Sequence, residues 1–184
     1  MAKQAVILDF EAASRVRMLE RVRALTSTRD ALMANARDNH AIQAQIHGAI
    51  LALLDAKDWA GLDARLQRSV RAALNIDFLG LFVENAKLPN GLIGVHAKPE
   101  GFVAHVMQGN FERLGPCSSQ GALVYGDQIS QMHSEAFLRL DWGPGEALLV
   151  FGSKDQHAFV AAQGTELIAF FAKTVERLIS RWAS

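Results

Sequence analysis

The sequence predicts an α+β domain carried behind a long N-terminal helix. Three observations lead there. A four-three-four-three seam runs from Met18 to Leu53, apolar at both ends with a more polar middle from Arg29 to Gln43. Two later segments, Ile76–Val83 and Glu146–Gly152, are apolar at both odd and even positions. The strand-like segments come in pairs between helical ones, the pattern of an antiparallel sheet with flanking helices rather than of alternating βαβ units.

The first element is a helix from about Phe10 to Leu54. Its seam runs Met18, Val22, Leu25, Arg29, Leu32, Ala36, Asn39, Gln43, Ile46, Ile50, Leu53. That is a coiled-coil repeat kept for about five heptads without a proline. Such a stretch is ~54 Å long at ~1.5 Å per residue, more than the rest of the chain can cover. Met18, Val22, Leu25, Leu32, Ala36 and Asn39 are therefore expected at a homodimer interface. Asn39 at a seam position costs stability but can set register. Ile46 to Leu53, widened by Ile42, Ala49 and Leu54, has a face broad enough to dock on its own domain. Ser27-Thr28-Arg29-Asp30 matches a capping box, which would start a second helix there. The seam keeps its phase through it. Residues 1–55 are read as the dimerisation segment and 56–184 as the domain.

Asp58 caps a second helix, Trp59 to Leu74, with Trp59, Leu62, Leu66, Val70 and Ala73 on one face and Arg65, Arg68 and Arg71 turned away. Ile76–Val83 suits a central strand covered on both faces. Pro89-Asn90-Gly91 signals a turn, and Leu92–Ala97 reads as the hairpin partner. Residues 98–130 are irregular, with short helical candidates at Phe102–Met107, Phe111–Leu114 and Ser118–Tyr125. His133–Trp142 alternates, with Ser134, Ala136, Leu138, Leu140 and Trp142 on one side and Glu135, Phe137, Arg139 and Asp141 on the other. Gly143-Pro144-Gly145 turns the chain into the second two-faced strand. A closing helix, about Gln163 to Trp182, buries Leu167, Phe171, Val175, Leu178 and Trp182. Helices are expected on one face of the sheet and residues 98–130 on the other, as a lid over a candidate small-molecule pocket.

Bulk properties exclude several function classes. The 184 residues have zero formal net charge. A general nucleic-acid binder needs clustered positive charge. The basic cluster Arg15, Arg17, Arg21 and Arg23 is interspersed with acids and reads as a solvated helix flank. No stretch reaches the ~20 apolar residues of a membrane span, and the N-terminus has no signal-peptide pattern. Cys117 is the single cysteine, which suits a reducing compartment. The expected location is the cytoplasm.

Candidate chemistry is sparse. Cys117 has no resolving thiol for a redox cycle. His40 and His47 lie two helical turns apart, too far for one metal, and the i, i+4 pair of zinc-binding helices is missing. No nucleophile elbow or phosphate-binding glycine loop is present. No metal site and no catalytic residue is assigned, and the cofactor is unknown. Candidate ligand-binding residues under the lid are Phe78, Phe82, Leu114, Cys117, Tyr125, Phe137 and Arg139. Arg139 is weighed as an anion holder against pairing with Glu135 or Asp141.

Arg113-Leu114-Gly115-Pro116, Leu123-Val124-Tyr125-Gly126, Ser134-Glu135-Ala136, Leu149–Asp155 and Gly164-Thr165-Glu166-Leu167 follow in order. Together with the coiled-coil start, these motifs resemble a proteobacterial GAF-like family known as domain of unknown function 484. The resemblance spans nearly the whole chain. It implies a GAF-like domain on a helical stalk and no particular reaction. The expected function is a non-enzymatic regulatory or sensory module, dimeric, binding a small ligand or a protein partner. The alternatives are a ligand-free dimeric scaffold and, more weakly, a thiol-dependent redox enzyme using Cys117.

Overall fold

The computed structural model describes residues 2–159 and 165–182, with side chains for 12–37, 40, 41, 43–159 and 168–182. Contacts divide the chain into two units, Met1–Ala41 and Ile42–Ser184. Helix α1 (Ala2–Leu54) passes through both without a break. It starts earlier than the seam suggests, and it continues straight through Ser27. The capping-box pattern there is not used: Thr28 Oγ1 instead bonds back to Ala24 O at 3.0 Å within the helix.

In the first unit the large apolar residues of α1 stand in solvent: Met18, Val22, Leu25 and Leu32 are each more than half exposed. In the second unit the seam residues Ile46 and Leu53 are buried together with Ala49, Ile50 is half-buried and Gln43 is exposed. The repeat thus changes role along the helix.

After α1 comes α2 (Trp59–Arg65), capped by Asp58, whose carboxylate accepts Gly61 N–H at 2.7 Å. A π-helical turn (Leu66–Val70) and a last α turn, α3 (Arg71–Leu74), complete the helical stretch. The wide turn accompanies two side chains that reach back to the sheet. Gln67 donates to Leu79 O at 2.8 Å, and Arg71 donates to Asp77 O. Arg71 is thereby half-buried instead of turned to water, and so is Arg65, whose Nη2 donates to Asp55 O at 3.4 Å.

The sheet has five strands: β1 (Phe78–Glu84), β2 (Val95–Lys98), β3 (Glu112–Pro116), β4 (Ser134–Asp141) and β5 (Glu146–Ser153), in the order β2-β1-β5-β4-β3. Three pairs are antiparallel, but β1 and β2 are parallel, with Leu81 opposite Val95 and Glu84 opposite Lys98. The sheet is mixed, and the expected first hairpin is not one. Asn90-Gly91 does turn, with Gly91 at φ 86°, yet the chain returns to the start of β1 before β2 begins. Asp63 holds it there. The carboxylate accepts the N–H groups of Ile93, Gly94 and Val95 at 3.0, 2.6 and 3.0 Å.

Phe111–Leu114 is also corrected. It is not helical; Glu112–Pro116 forms edge strand β3 on β4. Its mixture of charge, Gly and Pro hides the alternation, and only the partner strand makes it extended. Between the strands lie α4 (Phe102–Met107) and α5 (Ala122–Tyr125), flanked by 3-10 turns Ser119–Gly121 and Gly126–Gln131. Helix α6 (Thr165–Ser180) closes the fold.

The core has two layers. On one face Leu79, Leu81 and Val83 of β1, Ala136 and Leu138 of β4, and Leu149 and Phe151 of β5 pack with Leu53, Leu62, Leu66, Phe171 and Val175 of the helices. On the other, Phe82, Phe137, Leu148 and Val150 pack beneath Val103, Val106, Met107, Val124 and Tyr125 of the segment 98–130. That segment is the expected lid. Asn39 and Leu167 lie outside the residues whose side chains are described.

Candidate functional site

Strand β4 alternates between the two layers, so its odd positions face the lid. Glu135, Phe137 and Arg139 share this parity. Glu135 is a carboxylate with no solvent exposure, and a second buried carboxylate, Glu84, accepts the Val103 N–H of the lid at 2.8 Å. A buried carboxylate needs partners or loses its charge, and for Glu135 the neighbouring edge strand supplies them. In β3, Gly115 pairs with Glu135 and Arg113 with Phe137. Arg113 lays its guanidinium over the Phe137 ring, 4.5 Å from the centroid. Its Nη2 lies 3.2 Å from Glu135 Oε1, and its Nη1 donates to Val106 O at 3.3 Å. Just past β3, Ser118 donates twice to the same carboxylate oxygen, from Oγ at 2.7 Å and from its backbone N at 3.2 Å.

The other carboxylate oxygen, Oε2, is buried and has no hydrogen-bond partner; Arg113 Nε is in the same position. Oε2 faces Gly121. A Cβ there would stand 3.1 Å from it and 2.8 Å from Ile129 Cδ1, so glycine gives the lid its close approach.

Cys117 and Tyr125 border this cluster. Burial pushes the Cys117 thiol up to about 11, and the Glu135 carboxylate adds to the rise. At neutral pH the thiol is protonated and a poor nucleophile. Tyr125 is also pushed up, first by burial and then by Glu135, and its hydroxyl donates to Phe151 O at 3.1 Å. Tyr125 meets Phe78 edge-on at 4.8 Å and Phe137 at 6.0 Å. Phe82 stacks on His96 at 5.0 Å, whose imidazole is held below its ordinary value by burial and then by Lys98.

The structure therefore gathers Phe78, Phe82, Cys117, Tyr125 and Phe137 of the sequence-predicted residues on the lid face. Leu114 is not among them; it packs with the helix-side layer. Arg139 stands apart at an open cleft with Phe111, Asp141 and Glu146. It pairs with Glu146 across the hairpin, its Nε donating at 2.6 Å, and not with Glu135 or Asp141. Sequence reasoning missed Arg113, Ser118 and Glu135 as a unit. The available signal was an acid on the lid parity of β4 next to a basic residue ahead of Gly115-Pro116.

In the lid layer Phe82, Val103, Val106, Met107, Phe137, Leu148 and Val150 are buried, and a Cβ on Gly152 would stand 2.9 Å from both Tyr125 and Met132. Two apolar grooves open on the second unit, one beside α6 at Leu54, Phe170 and Leu178 and one at Ile46, Ile76, Phe159 and Phe171. Among the described residues no group of three His, Cys, Asp or Glu side chains is placed to hold a metal. No described helix is long and apolar enough to cross a membrane.

On α1, Met18, Val22, Leu25 and Leu32 form an exposed stripe, and Val16, Leu19 and Met33 extend it. Ala36 is exposed as well.

No curated protein matches the chain. A family model described as "Protein of unknown function, DUF484" matches residues 2–184. The match spans both units, from the stripe on α1 to the end of α6, and the chain belongs to the DUF484 family.

Proposed function

We propose that the protein is a non-enzymatic dimeric adaptor, a GAF-like domain on a helix whose N-terminal part pairs with a second copy as a coiled coil. The observation that carries this is the stripe Met18, Val22, Leu25, Leu32, each more than half exposed on one continuous helix. Large apolar residues at seam spacing gain little in a monomer, and pairing buries each for about 1.5–3 kcal/mol. The GAF-like reading is supported by the order of elements, with helices at the chain ends and an irregular lid across one sheet face. The lone cysteine suits a reducing compartment such as the cytoplasm.

The burial of the lid side chains and the close approach at Gly121 and Gly152 support an adaptor over a small-molecule sensor. The sensor is the second reading, and one observation favours it: the unpartnered Glu135 Oε2 and Arg113 Nε beneath the lid. The protonated Cys117 thiol weighs against redox chemistry.

Light scattering of the full chain tests the dimer. The expected mass is twice 20.1 kDa at micromolar concentration; a monomer mass overturns the reading. Native mass spectrometry of protein purified from its own host separates adaptor from sensor, because a sensor retains a small molecule.

A further inference from the structure

Helix α6 buries Phe171, Val175, Leu178 and Ile179 against the sheet. Its outer side carries Lys173 and Arg177, and Arg181 follows one residue past its end, so the three form a row along one groove. Beside this row lies a groove of about 330 Å³, with Leu54, Phe170 and Leu178 supplying its apolar surface. Phe170 is 55% exposed and Leu54 52%. Lys173 is neutralised by Glu176 at 2.7 Å, while Arg177 and Arg181 have no carboxylate within 4.0 Å among the described residues. Cations near a helix C-terminus favour its dipole. That accounts for the charge of Arg177 but not for a phenylalanine and a leucine left in water next to it.

We propose that this groove docks an acidic amphipathic helix of another protein, the partner that the adaptor reading requires and on which this assignment rests. Such a helix seats apolar residues at three-four spacing between Leu54 and Phe170. Its flanking carboxylates meet Arg177 and Arg181, whose planar guanidinium groups bind carboxylates bidentately. Charge decides against a second copy. A second copy would have to present an acidic helix face, whereas the α6 row and the Arg15–Arg23 stretch of α1 are both basic.

The test replaces Phe170, and separately Leu25, with photo-reactive benzoylphenylalanine in the full chain expressed in its own host. The crosslinked segment is then sequenced. Position 170 is expected to yield a net-acidic segment of one other protein. The double variant Arg177→Glu/Arg181→Glu is expected to lower that yield at least tenfold while leaving thermal unfolding unchanged. A crosslink to a second copy, a lipid or a non-acidic segment overturns the proposal, as does an unchanged yield in the double variant. Position 25 is expected to crosslink to a second copy. That result with nothing at 170 removes the groove and leaves the dimer; silence at both positions removes both.

Discussion

Asp63 accepts the backbone N–H of Gly94 at 2.6 Å, across 31 residues of chain. This bond and its two neighbours position the start of β2 on the helix-side face, so that β2 runs parallel to β1. A Cβ on Gly94 would fall 1.8 Å from Gln67 Nε2, so a larger residue there would displace Gln67 from its bond to Leu79 O. Asp63→Ala leaves three N–H groups without their acceptor, and bonds to a charged group are worth about 1.5–3 kcal/mol each. We expect a loss of at least ~3 kcal/mol in urea unfolding, and a smaller loss for Asp63→Asn, which keeps one acceptor oxygen. Equal stability of Asp63→Ala and the native chain would contradict this.

Removing one member of the Arg113–Glu135 pair strands the other. Breaking such a pair costs about 3–5 kcal/mol when it is buried, and the partial exposure of Arg113 places the cost at the lower end. Arg113→Met and Glu135→Leu should each destabilise by ~2–3 kcal/mol. The double variant should be milder than their sum, as an apolar pair fills the same space. Simple additivity in a double-mutant cycle would rule out the coupling.

Cys117 should be slow toward iodoacetamide at pH 7, with a rate that climbs as pH approaches about 11. The linkage follows from the raised value. Below pH 9 the thiol is neutral in both folded and unfolded chains and has no effect. Between about 9 and 11 the unfolded chain ionises first, so stability falls as pH rises. Cys117→Ser should flatten that part of the curve and leave dimerisation intact. Fast alkylation at neutral pH would show that the thiol is not held in this environment.

Two leucines of the same seam should behave oppositely. Leu53 is fully buried in the second unit, and truncating a buried leucine to alanine costs about 2–5 kcal/mol. Leu53→Ala should therefore lower the urea midpoint of the domain. Leu25 is 65% exposed; Leu25→Ala should leave the domain midpoint within ~0.5 kcal/mol and weaken self-association, read as a mass that drops on dilution.

Much of the lid layer was legible because burial leaves a local trace. Phe137 alternates with Ala136 and Leu138, and the β5 run from Ala147 to Phe151 is apolar at every position, so both were placed on covered faces. Phe102–Met107 showed its helix in the same way. The Arg113–Glu135 pair was not legible. Its members stand 22 positions apart and meet only because β3 lies beside β4. Leu114 was assigned to the lid because its segment was read as a helix; as a strand, its parity sends it to the other face.

By itself the sequence determined which of its strongly periodic stretches are helical or extended and how many of their faces are covered, because periodicity is a local record of burial. It determined the end of α1 at Leu54, though not its start, and the two-faced character of β1 and β5. Only the tertiary structure decided the direction of β2, the strand identity of Glu112–Pro116 and the partners of Glu135 and Arg139. A turn such as Pro89-Asn90-Gly91 reverses the chain whether or not the next strand pairs in a hairpin. The choice fell to a distant acceptor, Asp63, whose bonds to Gly94 and its neighbours no local pattern records.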